Sequence, residues 1–166
     1  VAVGTVLAVF VGTSRQSGEP MIRKQALAIA ESLLEEVRLM PFTFCDPDDA
    51  NVSTATRAVV GAGPTFCATA AETAMAAEGG ETRYDPATPY DNVNDYNGFA
   101  MAGGILDITG ATIAGLGAYS AAVAVTPLVF GGIAATDAQQ ITVTVTGPGN
   151  ITVTLDGIRT RHAPNL

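Results

Sequence analysis

The first forty residues constrain this chain most, because they predict a helix that is longer than a compact head needs. Residues 21–40 are dense in strong helix formers and carry apolar side chains three or four positions apart, which is typical of a helix with one buried face. The predicted head-packing face consists of Ile22, Ala26, Ile29, Leu33 and Val37. Pro20 suits the first turn of this helix and Pro41 prevents easy continuation, so the sequence predicts both of its limits.

Residues 1–11 carry no charge, yet a membrane-spanning helix needs about 20 apolar residues. A signal peptide would open with a basic region, and this segment opens directly in apolar residues. A buried core helix is the alternative, but we expect part of a longer apolar helix. Joined to residues 21–40, it would form a spine of about 60 Å, kinked or unwound near residues 12–20.

The C-terminal part of the chain predicts an antiparallel hairpin. Isoleucine, valine and leucine alternate with threonine in residues 141–146 and 151–155, on either side of a Gly-Pro-Gly-Asn turn. Residues 119–130 could supply one or two more strands, although Pro127 favours a break or an edge. We therefore predict an α+β fold, in which the long N-terminal helix packs on a C-terminal antiparallel sheet of three to four strands.

The predicted organisation is a spine helix over residues 1–40 and a globular head over residues 41–166. Glycine, proline, asparagine, aspartate and threonine are frequent in the first part of the head, which predicts a loop region over residues 41–117 with one short helix near residues 68–77. The antiparallel sheet is expected over residues 118–162.

Charge and composition argue against several classes of function. The net charge of −8 and the scattered basic residues exclude a nucleic-acid partner. The chain has one histidine, His162, far in sequence from its cysteines, and it contains no nucleophile-elbow, P-loop or zinc-protease motif. We predict a protein that is not an enzyme and has no cofactor, with an unrecognised hydrolase built on paired carboxylates as the alternative.

The two cysteines, Cys45 and Cys67, are too few for a zinc site of their own. In an oxidising compartment they would form a disulfide that closes a loop of roughly 20 residues and stabilises the fold by about 3 kcal/mol. Two buried free thiols are the alternative.

Two segments are rich in oxygen ligands. The first holds Asp46, Asp48 and Asp49, and the second contains the calcium candidates Asp91, Asn94 and Asp95 together with Asn92 and Asn97. Neither segment has the spacing of an EF-hand, so ordinary turn chemistry is the alternative reading.

Asn51 and Asn150 stand in N-x-S/T patterns and are candidate glycosylation sites, although so short a motif also arises by chance.

Four segments in order resemble one family. They are RKQALAIAESLLEE (23–36), PFTFCDPDDAN (41–51), DNVNDYNGF (91–99) and ITVTVTGPGN (141–150). Together they sample nearly the whole chain, and they are similar to the D-type minor pilins of the mannose-sensitive haemagglutinin (MSHA) pilus, in the type IV pilin and pseudopilin superfamily. Family members carry a glutamate at the fifth mature position, whereas Thr5 stands fifth here, so we expect this sequence to begin inside the mature helix.

The resemblance implies a structural subunit, a minor or major pilin, of an extracellular filament on a Gram-negative bacterium. Its implied partners are other copies of the chain or other pilins, and the inner membrane before assembly. The implied filament-core residues are Val1, Val3, Val6, Leu7 and Phe10. The alternatives are a pilus-tip module that binds a surface or glycan receptor, and a pseudopilin of a type II-like secretion system.

Overall fold

A long helix and one antiparallel sheet form the framework of the molecule. The computed structural model describes the backbone of residues 2–161 and the side chains of residues 18–161. Helix α1 (Ala2–Leu39) precedes a short 3-10 helix (Val93–Tyr96), and the sheet contains β1 (Ala100–Met101), β2 (Ser120–Pro127), β3 (Ala138–Gly147) and β4 (Ile151–Thr160). The strands lie in the order β1-β2-β3-β4. The predicted α+β class, with one N-terminal helix packed on an antiparallel sheet, is confirmed.

Helix α1 is continuous through Pro20, so the unwound segment expected near residues 12–20 is absent from the described backbone. A proline removes only one backbone donor, and the turns on either side of it keep their own hydrogen bonds. The helix ends at Leu39, two residues before Pro41, as the sequence predicts.

The face of α1 that meets the sheet is lined by small and branched side chains. Ala26, Ile29, Leu33 and Val37 are buried together with Ala30, and Ile22 is partly buried at the beginning of this face. They pack against β2 and β3 residues that alternate inward: Ala121, Val123, Val125, Ile141, Val143 and Val145. The core of the head therefore lies between the second half of α1 and the sheet.

Two glycines allow α1 to lie close to the β3–β4 hairpin. A Cβ at Gly147 would lie 2.9 Å from Ile22 Cγ2, and one at Gly157 would lie 2.9 Å from Leu34 Cδ1. Strands β3 and β4 pair from Gly147↔Ile151 to Ala138↔Thr160, so the hairpin runs alongside residues 22–38 of the helix. Its turn lies at the level of Ile22.

Residues 41–117 have little regular structure. Residues 68–77, which were expected to form a short helix, contain none. The backbone bends at Ala68 and Thr69, and the N–H groups of residues 68–70 donate to Asp49 in the loop that begins at Cys45. Strand β1 falls inside the segment that was predicted to be loop. It has only two residues, both paired with β2, and so short a strand leaves no alternating pattern in the sequence.

The predicted disulfide is confirmed. Cys45 and Cys67 are bonded, with their Cα atoms 5.4 Å apart, and both are fully buried. Free thiols, the alternative for this pair, do not occur at these positions.

Candidate functional site

Six carboxylates from separate loops converge near the disulfide. We call them the acidic cluster: Asp46, Asp48, Glu78, Glu81, Asp91 and Asp95. Carboxylate oxygens of Asp46, Asp48 and Asp91 lie within 4.8 Å of one another, and so do those of Glu81, Asp91 and Asp95. Asp91 belongs to both triads and joins them into one site.

The loop after Cys45 is shaped by its own aspartates. Asp46 Oδ1 accepts a hydrogen bond from the backbone N–H of Asp48 at 2.7 Å. Asp49 is buried, and its two oxygens accept hydrogen bonds from the N–H groups of Asn51, Ala68, Thr69 and Ala70 and from the Thr69 hydroxyl. The N–H of Ala68 contributes most to holding the pKa of Asp49 well below its usual range. Asp49 therefore fastens the loop and has no oxygen left for a ligand.

The 3-10 helix Val93–Tyr96 fixes the other side of the acidic cluster. Asp95 Oδ2 accepts hydrogen bonds from the N–H groups of Asp91 at 2.9 Å and of Asn92 at 2.7 Å, which orients the Asp95 carboxylate. Asp95 is only 2% exposed, and its second oxygen, Oδ1, has no hydrogen-bond partner. Glu81 Oε2 is likewise buried without a partner.

Burial and mutual repulsion dominate the electrostatics of the acidic cluster. Burial, followed by the charges of Glu81, Asp95, Asp46 and Asp48, raises the pKa of Asp91 to about 7. Burial also raises the pKa values of Glu78, Glu81 and Asp95, each with a neighbouring acid as a further cause. Within residues 18–161, the ion pairs all lie elsewhere, so no basic side chain neutralises this site.

The structure brings together some of the calcium candidates and separates others. Asp91 and Asp95 meet, and Asp91 also meets Asp46 and Asp48 from the first acidic segment. Asn94 points elsewhere: its Nδ2 donates to Glu72 Oε1 at 3.2 Å and its Oδ1 accepts from Gln139. Asn94 is therefore not a member of the acidic cluster.

Sequence reasoning missed Glu78 and Glu81. They stand in the segment AAEGGET, which has no aspartate-rich pattern, and they are separated from Asp91 by ten or more residues. Only the path of the loop places Glu81 beside Asp91 and Asp95, and Glu78 beside Asp46, so no local signal could have found them.

Chemically, the acidic cluster offers convergent oxygen atoms without a positive partner. Such an arrangement can hold protons or a hard cation, since carboxylate oxygens are the ligands that calcium and magnesium prefer.

A second polar centre ties the loops to the spine. Arg83, buried to 7% exposure, donates to both carboxylate oxygens of Glu36 at 2.6 and 2.8 Å and to the carbonyl of Asp107 at 3.1 Å. The Tyr96 hydroxyl donates to the same glutamate at 2.7 Å. Although burial opposes the charge, Arg83 and Tyr96 hold the pKa of Glu36 below its ordinary value. The charges and hydrogen bonds of this centre are thus satisfied within the protein, which is typical of a structural contact.

The two glycosylation candidates differ in their surroundings. Asn51 Nδ2, the atom that would carry a glycan, donates to the carbonyl of Phe66 at 3.0 Å. Asn150 is exposed in the β3–β4 turn, in the left-handed backbone region with φ 58°.

Four of the expected filament-core residues, Val3, Val6, Leu7 and Phe10, belong to α1, but their side chains lie outside the described residues, as does Val1 altogether. In the part of the chain that the structure describes, no helix combines the length and the apolar character needed to cross a membrane.

Comparison of the chain with protein-family models, with curated proteins and with solved structures gives no match.

Proposed function

We propose that this chain is a structural subunit of an extracellular, type IV pilus-like filament, in which the N-terminal helices of neighbouring subunits pack together. The observation that carries the proposal is that α1 extends well beyond the sheet on which it packs. The role is structural and not catalytic. The partners are other copies of this chain or other pilins, with the inner membrane as the surroundings of the helix before assembly.

The length of the extension follows from the contacts of the hairpin. The β3–β4 turn lies beside Ile22, the first residue of the described packing face. From Met21 back to Ala2 the helix continues for 20 residues, which is about 30 Å at 1.5 Å per residue. Among the described side chains, the contacts with the sheet therefore lie on the second half of α1.

The composition of this extension supports a role in assembly. Its first eleven residues contain no charge, and valine, leucine and phenylalanine make up most of them. Burial of apolar surface is worth about 25 cal/mol per Å², so a helix of this composition is more stable against other helices or lipid than in water. Ala2, Gly4 and Ala8 would also allow close helix approach, although an alanine-rich chain places small residues there by chance.

The order of parts agrees with the resemblance of the sequence. An apolar helix that continues into an amphipathic one, a loop region and a C-terminal antiparallel sheet is the arrangement of type IV pilins. The four resembling segments lie on the packing half of α1, the disulfide loop, the 3-10 helix and the β3–β4 hairpin.

Photo-crosslinking in cells tests the proposal. A photoreactive phenylalanine analogue placed at Leu7 should give a ladder of crosslinked multimers, because this position would lie in the filament core. The same analogue at Thr154, which is exposed on the outer face of β4, is the matched control and should give a much weaker ladder. Imaging of the filaments at side-chain resolution would then locate residues 2–39.

If neither the Leu7 nor the Thr154 variant forms crosslinked multimers, in cells whose surface carries the filaments, the proposal is overturned.

A further inference from the structure

We propose that the acidic cluster binds one calcium ion, with Asp95, Asp91 and Glu81 as its protein ligands. This site goes beyond the filament proposal and does not depend on it. Asp46 and Asp48 are not ligands in this proposal, but they lie next to Asp91, which belongs to both triads.

The spacing of the oxygen atoms fits the ion. Calcium binds oxygen at about 2.3 to 2.6 Å, so two ligand atoms on the same ion are at most about 5 Å apart. The carboxylate oxygens of Glu81, Asp91 and Asp95 all lie within 4.8 Å of one another. One ion can therefore contact all three residues without a rearrangement of the backbone.

The unpartnered oxygens are what point to a ligand. Asp95 is 2% exposed, its Oδ2 is held by two backbone N–H groups, and its Oδ1 has no partner. A buried carboxylate oxygen without a hydrogen bond or a positive neighbour is strongly destabilising. Glu81, whose Oε2 is also buried without a partner, belongs to the same triad. A cation between these oxygens would remove both costs.

Turn chemistry explains only part of the acidic cluster. It accounts for Asp46 Oδ1 and for Asp95 Oδ2, each of which accepts backbone N–H groups. It does not account for Asp95 Oδ1 or for Glu81 Oε2, which have no hydrogen-bond partner and belong to residues of one triad.

The buried basic side chains do not supply the missing charge. Arg83 is paired with Glu36, and Arg161 lies over the rings of Phe42 and Phe44 and pairs with Asp137. Within the described residues, the positive partner of the triad must therefore come from solution.

Calcium suits this site better than magnesium. The ligands come from two irregular segments, the loop at residues 78–81 and residues 91–95, which lead into the 3-10 helix, and they include an aspartate held by backbone hydrogen bonds. Calcium accepts variable geometry and a high number of carboxylate oxygens, whereas magnesium requires near-octahedral geometry and keeps most of its water.

Calorimetric titration of the full chain, first treated with a chelator, tests the site. Calcium chloride at pH 7.5 should bind with one ion per chain and a dissociation constant on the order of 10⁻⁴ M, the range of extracellular calcium modules. Magnesium chloride at the same ionic strength should bind at least tenfold more weakly. At a calcium concentration 100 times the dissociation constant, the Tm should rise by about 5 to 10 °C.

Asp95→Asn is the decisive variant. It keeps an oxygen for the two backbone N–H groups but removes the charge, so the calcium-free Tm should rise. The calcium concentration needed for a given rise in Tm should increase at least tenfold. Asp156→Asn removes an equal charge from the outer face of β4 and should leave both values unchanged.

If Asp95→Asn does not fold, as judged by its near-ultraviolet circular dichroism, Asp91→Asn and Glu81→Gln provide the same test. An absence of heat and of any Tm shift with calcium up to 10 mM in the wild type would overturn the proposal. An equal response in Asp95→Asn, or in both substitute variants, would overturn it as well.

Discussion

The helix–sheet half of the head and the loop region at residues 41–117 are stabilised in different ways. Between α1 and the sheet, the contacts are apolar and repeat along the chain, from Ala26 to Val37 on the helix. The loop region adds Phe42, Val93, Tyr96 and Phe99 to this core, but it also relies on two single contacts, the Cys45–Cys67 disulfide and the buried Arg83–Glu36 pair. An apolar face distributes its stability over many side chains, whereas each polar or covalent contact stands alone. Loss of one loop contact should therefore cost as much as loss of a large core side chain.

The largest effect is expected for Arg83→Ala. The substitution leaves Glu36 without its charged partner, with only the Tyr96 hydroxyl still donating to it, and breaking a buried ion pair costs about 3 to 5 kcal/mol. Arg57→Ala is the matched control, because Arg57 is exposed and stacks on Phe66 alone; it should cost less than about 1 kcal/mol. Urea denaturation measures both changes in the free energy of unfolding, and equal values would contradict the distinction.

Leu33→Ala should have the next largest effect. Leu33 is 4% exposed in the core, and removal of a buried leucine side chain costs about 2 to 5 kcal/mol. Leu39, which is 72% exposed on the same helix, provides the control, since Leu39→Ala should change the free energy of unfolding by about 0.5 kcal/mol or less. A Tm of Leu33→Ala equal to that of the wild type would mean that the face is not buried.

Removal of the disulfide should destabilise the fold by about 3 kcal/mol, because the unfolded chain regains the freedom of the loop between the two cysteines. The variant is Cys45→Ala with Cys67→Ala. Hydrogen exchange should accelerate at the amides of Ala68 and Thr69, which bond to Asp49, more than at Val143 in the sheet. Uniform acceleration across both regions would show that the loop and the sheet open together.

The smallest expected effect is a pH dependence of the calcium-free protein. The pKa of Asp91 is raised to about 7 from an ordinary 3.8, and that of Glu72 to about 7 from 4.5, so the folded state holds protons that the unfolded state has released. This contribution to stability is fully present below about pH 4 and is lost as the pH rises through 7. The Tm in chelator should therefore fall from pH 5 to pH 8.

The groups that face these two carboxyls are also acidic. Asp91 is faced by Glu81, Asp95, Asp46 and Asp48, while Glu72 is faced by Glu78, Asp95 and Asp91, is hydrogen-bonded by Asn94 and is near enough to Arg161 to affect its pKa. Asp91→Asn should flatten the slope. A Tm that rises over this range in the wild type would contradict the account.

The helix–sheet half could be predicted because its signals are periodic. Spacing of three and four positions identifies the face from Ile22 to Val37, and alternation of valine with threonine identifies β3 and β4. The loop region has no periodic spacing of apolar residues. Arg83 and Glu36 are 47 positions apart in sequence, and Asn94 and Asp95 are adjacent yet bond to different partners, so chain composition predicted the oxygen-rich segments but not which oxygens meet.

Gly147 allows helix α1 to lie close to the β3–β4 hairpin. It stands where the sheet ends and α1 continues, and a methyl group there would meet both Ile22 and the ring of Tyr119, at 2.9 and 2.7 Å. Any larger side chain would force Ile22, Tyr119 or the helix itself to shift. The close packing of the helix on the hairpin at this point thus depends on a residue that has only a hydrogen atom in place of a side chain.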